Sequence, residues 1–189
     1  MGRHATPEEY ALQPPPVDRC DQAVPRFGDR SALMDLWLVR HGEAMPAQKD
    51  PARPLTPEGV RSVSAVAGTL AEKMGSFDLV ATSGKKRALE TAAILAEATG
   101  YPVGRIAETA ALSPNGTPEA FLAFLEENEG VQRLLCVGHL PSIASIAAYL
   151  LSPGDPVQLA FDPASVCRIR VGALRRGGGE LLFFFNGQG

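Results

Sequence analysis

The stretch Leu36–Glu43 constrains the fold more than any other part of this sequence. An apolar run from Leu36 to Val39 is followed at once by Arg40, His41 and Gly42. An apolar run of this length predicts a short buried strand, and a glycine after it lets the chain turn sharply and lets a ligand approach the backbone. Ligands of open α/β sheets bind beyond the carboxyl ends of the strands, so His41 is predicted to lie in a binding site.

The segments that follow alternate between helix and strand patterns. Thr-Pro-Glu occurs at Thr56 and at Thr117, and it is typical of a helix that begins with a threonine cap and a proline in its first turn. Further strands are predicted over 77–82, 103–106, 134–137, 166–171 and 181–185, the last two forming a terminal hairpin. This order predicts an α/β fold, a three-layer sandwich in which helices flank a central, mostly parallel mixed sheet.

We expect one domain over residues 34–189, preceded by an irregular N-terminal extension over residues 1–33. The extension is rich in proline and charge and has no periodic apolar pattern. Met34 stands two residues before the first predicted strand. The extension is therefore either dispensable, with a native start at Met34, or an arm that packs on the domain.

Charge and cysteine content exclude several classes of function. The net charge is −3, whereas a nucleic-acid binder normally carries a basic excess. No apolar run is long enough for a membrane span, and no apolar core of a signal peptide follows the N-terminus. The three cysteines have no metal-binding spacing. We expect a cytoplasmic monomer that needs no metal or other cofactor.

Polar side chains follow three of the predicted strands. Arg40 and His41 follow the first, Ser83 to Arg87 follow the second, and His139 follows the strand at 134–137. The carboxyl ends of parallel strands meet at one edge of a sheet, so these side chains are expected to converge. Because the other histidine, His4, lies in the extension, histidine chemistry depends on His41 and His139.

This group of side chains suits phosphoryl transfer. Two guanidinium groups, from Arg40 and Arg87, match the oxygens of a phosphoryl group. A neutral imidazole at His41 can attack phosphorus, and the two arginines should keep its pKa low. His139 would donate a hydrogen bond to a phosphoryl oxygen.

Four blocks of the sequence resemble the histidine phosphatase superfamily, which has the phosphoglycerate mutase-like fold. They are Leu38–Glu43, Leu55–Gly59, Ser83–Ala92 and Val137–Pro141. The resemblance covers residues 36 to about 185. It implies that His41 becomes phosphorylated and that Arg40, Arg87 and His139 bind the phosphoryl group. Gly42, Ser83 and, more weakly, Arg53 are carried over as substrate-binding residues.

Two departures narrow the resemblance to the SixA-type phosphohistidine phosphatases. Residues 44–48 lack an asparagine that many relatives carry, and residues 110–116 lack the acidic proton donor. A phosphoramidate substrate tolerates the missing acid, because imidazole is a better leaving group than an alkoxide. The expected substrate bears a phosphate, with a phosphohistidine protein as the first candidate.

Two other interpretations remain open. One is a broad or small-molecule phosphomonoesterase of the same superfamily, with Glu108 or Glu119 as its acid. The other is a module that binds phosphate or a phosphoprotein without turnover. The four residues Arg40, His41, Arg87 and His139 favour an enzyme.

Overall fold

A computed structural model describes residues 33–187 of the chain. The predicted N-terminal extension, apart from Leu33, lies outside the described residues. The structure therefore does not test either interpretation of that extension.

The described residues form one mixed sheet between two layers of helices. The strands are β1 (Met34–Arg40), β2 (Leu79–Thr82), β3 (Ala107–Glu108), β4 (Arg133–Gly138), β5 (Val166–Val171) and β6 (Gly179–Phe185). The helices are α1 (Pro57–Met74), α2 (Lys86–Ala98), α3 (Pro118–Glu127) and α4 (Ser142–Leu151). The strand order is β3-β2-β4-β1-β5-β6. Among the described strands, only β5 runs antiparallel to the others, which confirms the predicted three-layer α/β fold.

Strand β1 lies inside the sheet and is buried on both faces. Trp37 and Val39 point into the core beneath α1 and α2, whereas Leu36 and Leu38 point into the core beneath α3 and α4. All four side chains are at most 1% exposed. A strand covered on both sides requires a continuous apolar run rather than an alternating one, which is why the sequence predicts this strand so clearly.

The predicted strand at 103–106 is wrong. Val103–Arg105 forms a short 3₁₀ helix, and the edge strand β3 begins one residue after the predicted range. Val103 is 41% exposed, and only Ile106 at the end of the segment packs against the core, so the segment has no alternating buried face of a strand. Instead, the Tyr101 hydroxyl donates to the Arg105 carbonyl at 3.1 Å and holds the turn together.

The start of α1 is packed against the loop that follows β1. As predicted, Thr56 caps the helix, its hydroxyl accepting from the Gly59 N–H at 2.9 Å. The Thr56 N–H donates to the Glu43 carbonyl at 3.0 Å. A Cβ atom on Gly59 would lie 2.1 Å from that same carbonyl oxygen. The helix can therefore approach the loop only because residue 59 has no side chain.

No helix among residues 33–187 is both long enough and apolar enough to span a membrane.

Two glycines of α1 should respond to alanine in opposite directions. Gly68→Ala should stabilise the protein by about 1 kcal/mol, because nothing lies within 4 Å of the added methyl group and alanine favours the helix. Gly59→Ala should destabilise it by about 1–3 kcal/mol, because the methyl group collides with backbone. Urea unfolding of both variants measures the difference, and equal effects would contradict the close packing at Gly59.

Candidate active site

The three polar strand ends are neighbours in the sheet. Strand β4 lies between β2 and β1, so the residues that follow these strands share one edge. The His41 N–H donates to the Gly138 carbonyl at 3.1 Å, which joins the ends of β1 and β4. The rings of His41 and His139 lie 4.7 Å apart between centroids. The predicted convergence of these side chains is present.

The His41 ring is held in a single tautomer. Its Nδ1 atom lies 2.7 Å from the Gly42 carbonyl oxygen and must donate to it. Its Nε2 atom accepts from Nε of Arg87 at 3.2 Å. The lone pair of Nε2 therefore faces the arginine.

The two ring nitrogens of His139 face a donor on one side and a hydroxyl on the other. Nη2 of Arg87 lies 3.2 Å from its Nδ1 atom, and a guanidinium can only donate. The Nε2 atom then carries the proton and donates to Ser83 Oγ at 2.6 Å. The N–H that we expected to reach a phosphoryl oxygen is thus directed at Ser83, and that role of His139 stays a prediction.

Both imidazoles are neutral at physiological pH. Burial, opposed by the bond to Gly42 and assisted by the charges of nearby arginines, lowers the pKa of His41 to about 4. Burial and the charges around His139 lower its pKa to about 3. Arginines lower the pKa of His41 as the sequence predicts, but burial is the larger cause.

Arg87 lies between the two rings and is 9% exposed. Burial lowers its pKa, and the charge of Arg53 lowers it further. Its position in the first turn of α2 follows from the turn at Gly84, where φ is +73°. A glycine adopts this conformation without strain.

Arg40 is held by a segment that the sequence did not single out. Its Nη1 atom donates to the Phe161 carbonyl at 2.7 Å. The Ala164 N–H donates to the carbonyls of Arg40 and His41 at 3.2 and 3.3 Å, with Ala164 in the left-handed region at φ 63°. Burial lowers the pKa of Arg40, while the charge of Asp162 opposes that shift. This segment, residues 161–165, supports the end of β1 from behind.

Gly42 connects the loop that follows β1 to α2. Its N–H donates to Thr91 Oγ1 at 3.1 Å, and that hydroxyl donates to the Arg87 carbonyl at 2.8 Å. A Cβ atom on Gly42 would lie 2.7 Å from a methyl group of Val63. Gly42 therefore has a packing role, and its predicted contact with substrate stays a prediction.

Arg53 also lies at the site. Its charge lowers the pKa of His41, His139 and Arg87. Its Nε atom donates to the Met45 carbonyl at 3.2 Å, and its backbone is left-handed at φ 50°. The site thus combines three arginines with two neutral imidazoles, which is suited to a tetrahedral oxyanion.

Within residues 33–187, no group of three or more histidine, cysteine, aspartate or glutamate side chains is arranged to hold a metal ion.

Comparisons with known proteins identify the relatives of this chain. Residues 36–110 match the sequence profile of the histidine phosphatase superfamily (branch 1). SixA of Escherichia coli, a phosphohistidine phosphatase, is 30% identical over 125 residues, which are 65% of this chain and 76% of SixA. The chain belongs to the histidine phosphatase superfamily, in its SixA-type group. An uncharacterized protein of Picosynechococcus sp. is 33% identical over 147 residues, which are 75% of this chain and 88% of that protein.

A solved structure supports the same family membership. The protein histidine phosphatase SixA complexed with tungstate superimposes with a TM-score of 0.71 at 25% identity, over 82% of this chain and 97% of SixA. The phosphoglycerate mutase-like fold of this superfamily is therefore confirmed.

The sequence analysis identified the arginines and histidines of the site, but it missed the residues that hold them in place. Phe161, Ala164 and Ser165 act through backbone atoms, which any residue possesses. Glu90 was also missed, although its carboxylate accepts from the Leu55 N–H at 2.6 Å. Only its position within the matched Ser83–Ala92 block could have indicated this residue.

The low histidine pKa values can be tested by NMR of the imidazole nitrogens. From about pH 8 to about pH 5.5, a range that contains the ordinary histidine pKa of about 6.5, neither His41 nor His139 should titrate, because their pKa values are about 4 and about 3. Arg53→Ala should raise both pKa values. Arg61→Ala, which removes an exposed arginine paired with Glu58, should not. A midpoint near 6.5 for either ring in the unmodified protein would contradict the neutral, desolvated state of the two imidazoles.

Proposed function

We propose that this protein is a phosphohistidine phosphatase that forms a phosphohistidine intermediate on His41 and needs no metal ion. Arg40, Arg87 and His139 bind the transferring phosphoryl group, with Ser83 and Arg53 as further substrate contacts. The expected substrate is a protein that carries a phosphohistidine, as in the SixA phosphatases to which the chain is similar.

The observation that carries this proposal is the position of Arg87 between two neutral imidazoles. Its N–H groups approach His41 Nε2 and His139 Nδ1 at 3.2 Å each. A phosphoryl group bound at this point would accept the N–H groups of Arg87 in place of the rings, which leaves the lone pair of His41 Nε2 available for attack and meets a guanidinium already oriented. The tungstate bound to the related SixA is a tetrahedral oxyanion of the same kind.

The chemistry divides into two displacements. In the first, Nε2 of His41 bonds to phosphorus while the bond from phosphorus to the substrate imidazole breaks, and that imidazole leaves neutral if its other nitrogen carries a proton. In the second, water bonds to phosphorus while the bond from phosphorus to Nε2 of His41 breaks and its electron pair returns to that nitrogen. One proton of the water passes to solvent, so inorganic phosphate is released and neutral His41 is restored. The arginines stabilise the charge on the phosphoryl oxygens in both steps.

The charges around the rings favour a phosphoramidate. Among the described residues, every charge that shifts the pKa of His41 or His139 is cationic. Asp162 acts on Arg40 instead. An alkoxide leaving group requires a proton donor, and the described part of the site offers no carboxylate whose charge reaches the two rings.

A specific observation supports a second candidate, a phosphomonoesterase with Glu108 as its acid. The Glu108 carboxylate lies against Gly84, and a Cβ atom on Gly84 would be 2.3 Å from its oxygen. Gly84 directly follows Ser83, whose hydroxyl contacts His139. Glu119, the other acidic residue considered, is exposed in the first turn of α3. The two enzymatic functions differ in whether Glu108 transfers a proton.

Phosphate release, measured with EDTA present, tests the proposal. A phosphohistidine-bearing protein should be dephosphorylated much faster than a panel of phosphate monoesters. His41→Ala should reduce the rate at least about a thousand-fold, because it removes the covalent nucleophile, whereas His4→Ala should not. Preference for one monoester would overturn the proposed substrate. Phosphate binding without release would favour the non-catalytic module.

The role of Glu108 can be tested by comparing phosphohistidine with phosphate monoesters as substrates. Glu108→Gln should leave hydrolysis of phosphohistidine nearly unchanged, with Glu119→Gln as the matched control. If Glu108 is a general acid, the same variant should lose about 100-fold or more on monoesters. A loss of that size on phosphohistidine would contradict the acid-free mechanism.

We also propose, from the sequence, that the protein acts as a monomer in the cytoplasm.

A further inference from the structure

Two adjacent lysines at the start of α2 have different relations to the site. Lys85 is the N-cap residue, and its N–H donates to Ser83 Oγ at 3.3 Å. That hydroxyl is the partner of His139 Nε2 at 2.6 Å. Lys85 is thus separated from His139 by two hydrogen bonds. Lys86 is also exposed, but within the described part of the chain it has no such connection to the site.

Electrostatics distinguish the same two lysines. The charge of Lys85 lowers the pKa of His139, whereas that of Lys86 affects neither imidazole. Lys85 does not affect His41, so its charge lies nearer to His139 than to His41.

Among the described residues, the Lys85 ammonium group has no carboxylate partner within ion-pair distance. Within residues 33–187, none of the ion pairs involves Lys85. Glu108, the carboxylate that lies against neighbouring Gly84, is not paired with it. Leu140, which directly follows His139, adds an exposed apolar side chain at 36%. Within residues 33–187, the site therefore carries, near His139, an exposed ammonium group that is in no ion pair.

The phosphoryl group itself does not require this cation. Arg40 and Arg87 supply two guanidinium groups, and Arg53 adds a third positive charge near both rings. A flexible, exposed ammonium outside this group is suited to a second anionic group some distance from the phosphorus.

We propose that Lys85 binds an aspartate or glutamate side chain of the protein substrate, close to its phosphohistidine. This inference rests on the proposed function, and it adds a sequence preference to it. Lys85 is thereby a specificity-determining residue, and the preferred substrate is an acidic segment around the phosphorylated histidine.

Matched peptides test the proposal. Two synthetic peptides carry one phosphohistidine each, flanked by glutamates in one and by glutamines in the other. At low ionic strength, where exposed charges are least screened, the unmodified protein should hydrolyse the glutamate peptide with a kcat/KM about three-fold higher, the size expected of one exposed ion pair. The difference should lie mainly in KM and should fall as salt is added.

Variants assign the preference to one residue. Lys85→Gln should bring the ratio between the two peptides close to one, and Lys85→Arg should largely restore it. Lys86→Gln should keep both the ratio and the absolute rates. Taking the ratio cancels any effect of Lys85 on the chemical step.

The outcomes separate this inference from the proposed function. Hydrolysis of both peptides at equal rates would overturn the inference and leave the phosphohistidine activity intact. A preference that survives in Lys85→Gln, or that is lost equally in Lys86→Gln, would also overturn it. Hydrolysis of neither peptide, with monoesters still cleaved, would overturn the proposed function and this inference together.

Discussion

The contact of Arg87 with the imidazoles of His41 and His139 is the interaction on which the rest of the site depends. A guanidinium has only donors, so each ring nitrogen that faces it must present a lone pair. The Gly42 carbonyl and the Ser83 hydroxyl then receive the remaining ring N–H groups. Arg87 therefore helps to set the tautomer of both rings, while burial is the larger cause of their neutral state. Arg87 is itself buried, so an anion bound beside it would be stabilised by its charge.

The contact of Arg87 with both rings requires a particular register between β1 and β4. His41 and His139 come together because β1 and β4 pair in parallel with Arg40 opposite Gly138. A shift of one residue in that pairing would turn the side chains to the opposite faces of the sheet. The continuous burial of both strands fixes the register, since a shift would exchange residues between the two cores. The apolar packing of β1 and β4 thus sets the geometry of the site.

The charges of the site also limit the reaction. Cations surround the two rings, while Asp162 lies beside Arg40 and Glu108 against Gly84. Such an environment holds an anionic phosphoryl group and assists its transfer, but it offers little help to a leaving group that needs a proton. The leaving group that fits is one that departs readily, and an imidazole meets this condition. In the proposed mechanism, the substrate is therefore selected by the bond that can break as well as by the phosphate that is bound.

The sequence by itself determined the features that depend on local patterns and on the chemistry of side chains. The apolar run of β1, the Thr-Pro-Glu helix starts and the residues Arg40, His41, Arg87 and His139 can all be read from it. The strand predicted at 103–106 was wrong because a short apolar segment does not by itself predict its own structure. Whether such a segment is buried depends on what packs over it. Tertiary structure alone decided the tautomers and the support behind Arg40. That support comes from the carbonyl of Phe161, which is 121 residues away in the chain. A backbone carbonyl is common to all residues, so only the folded chain determines which one lies beside Arg40.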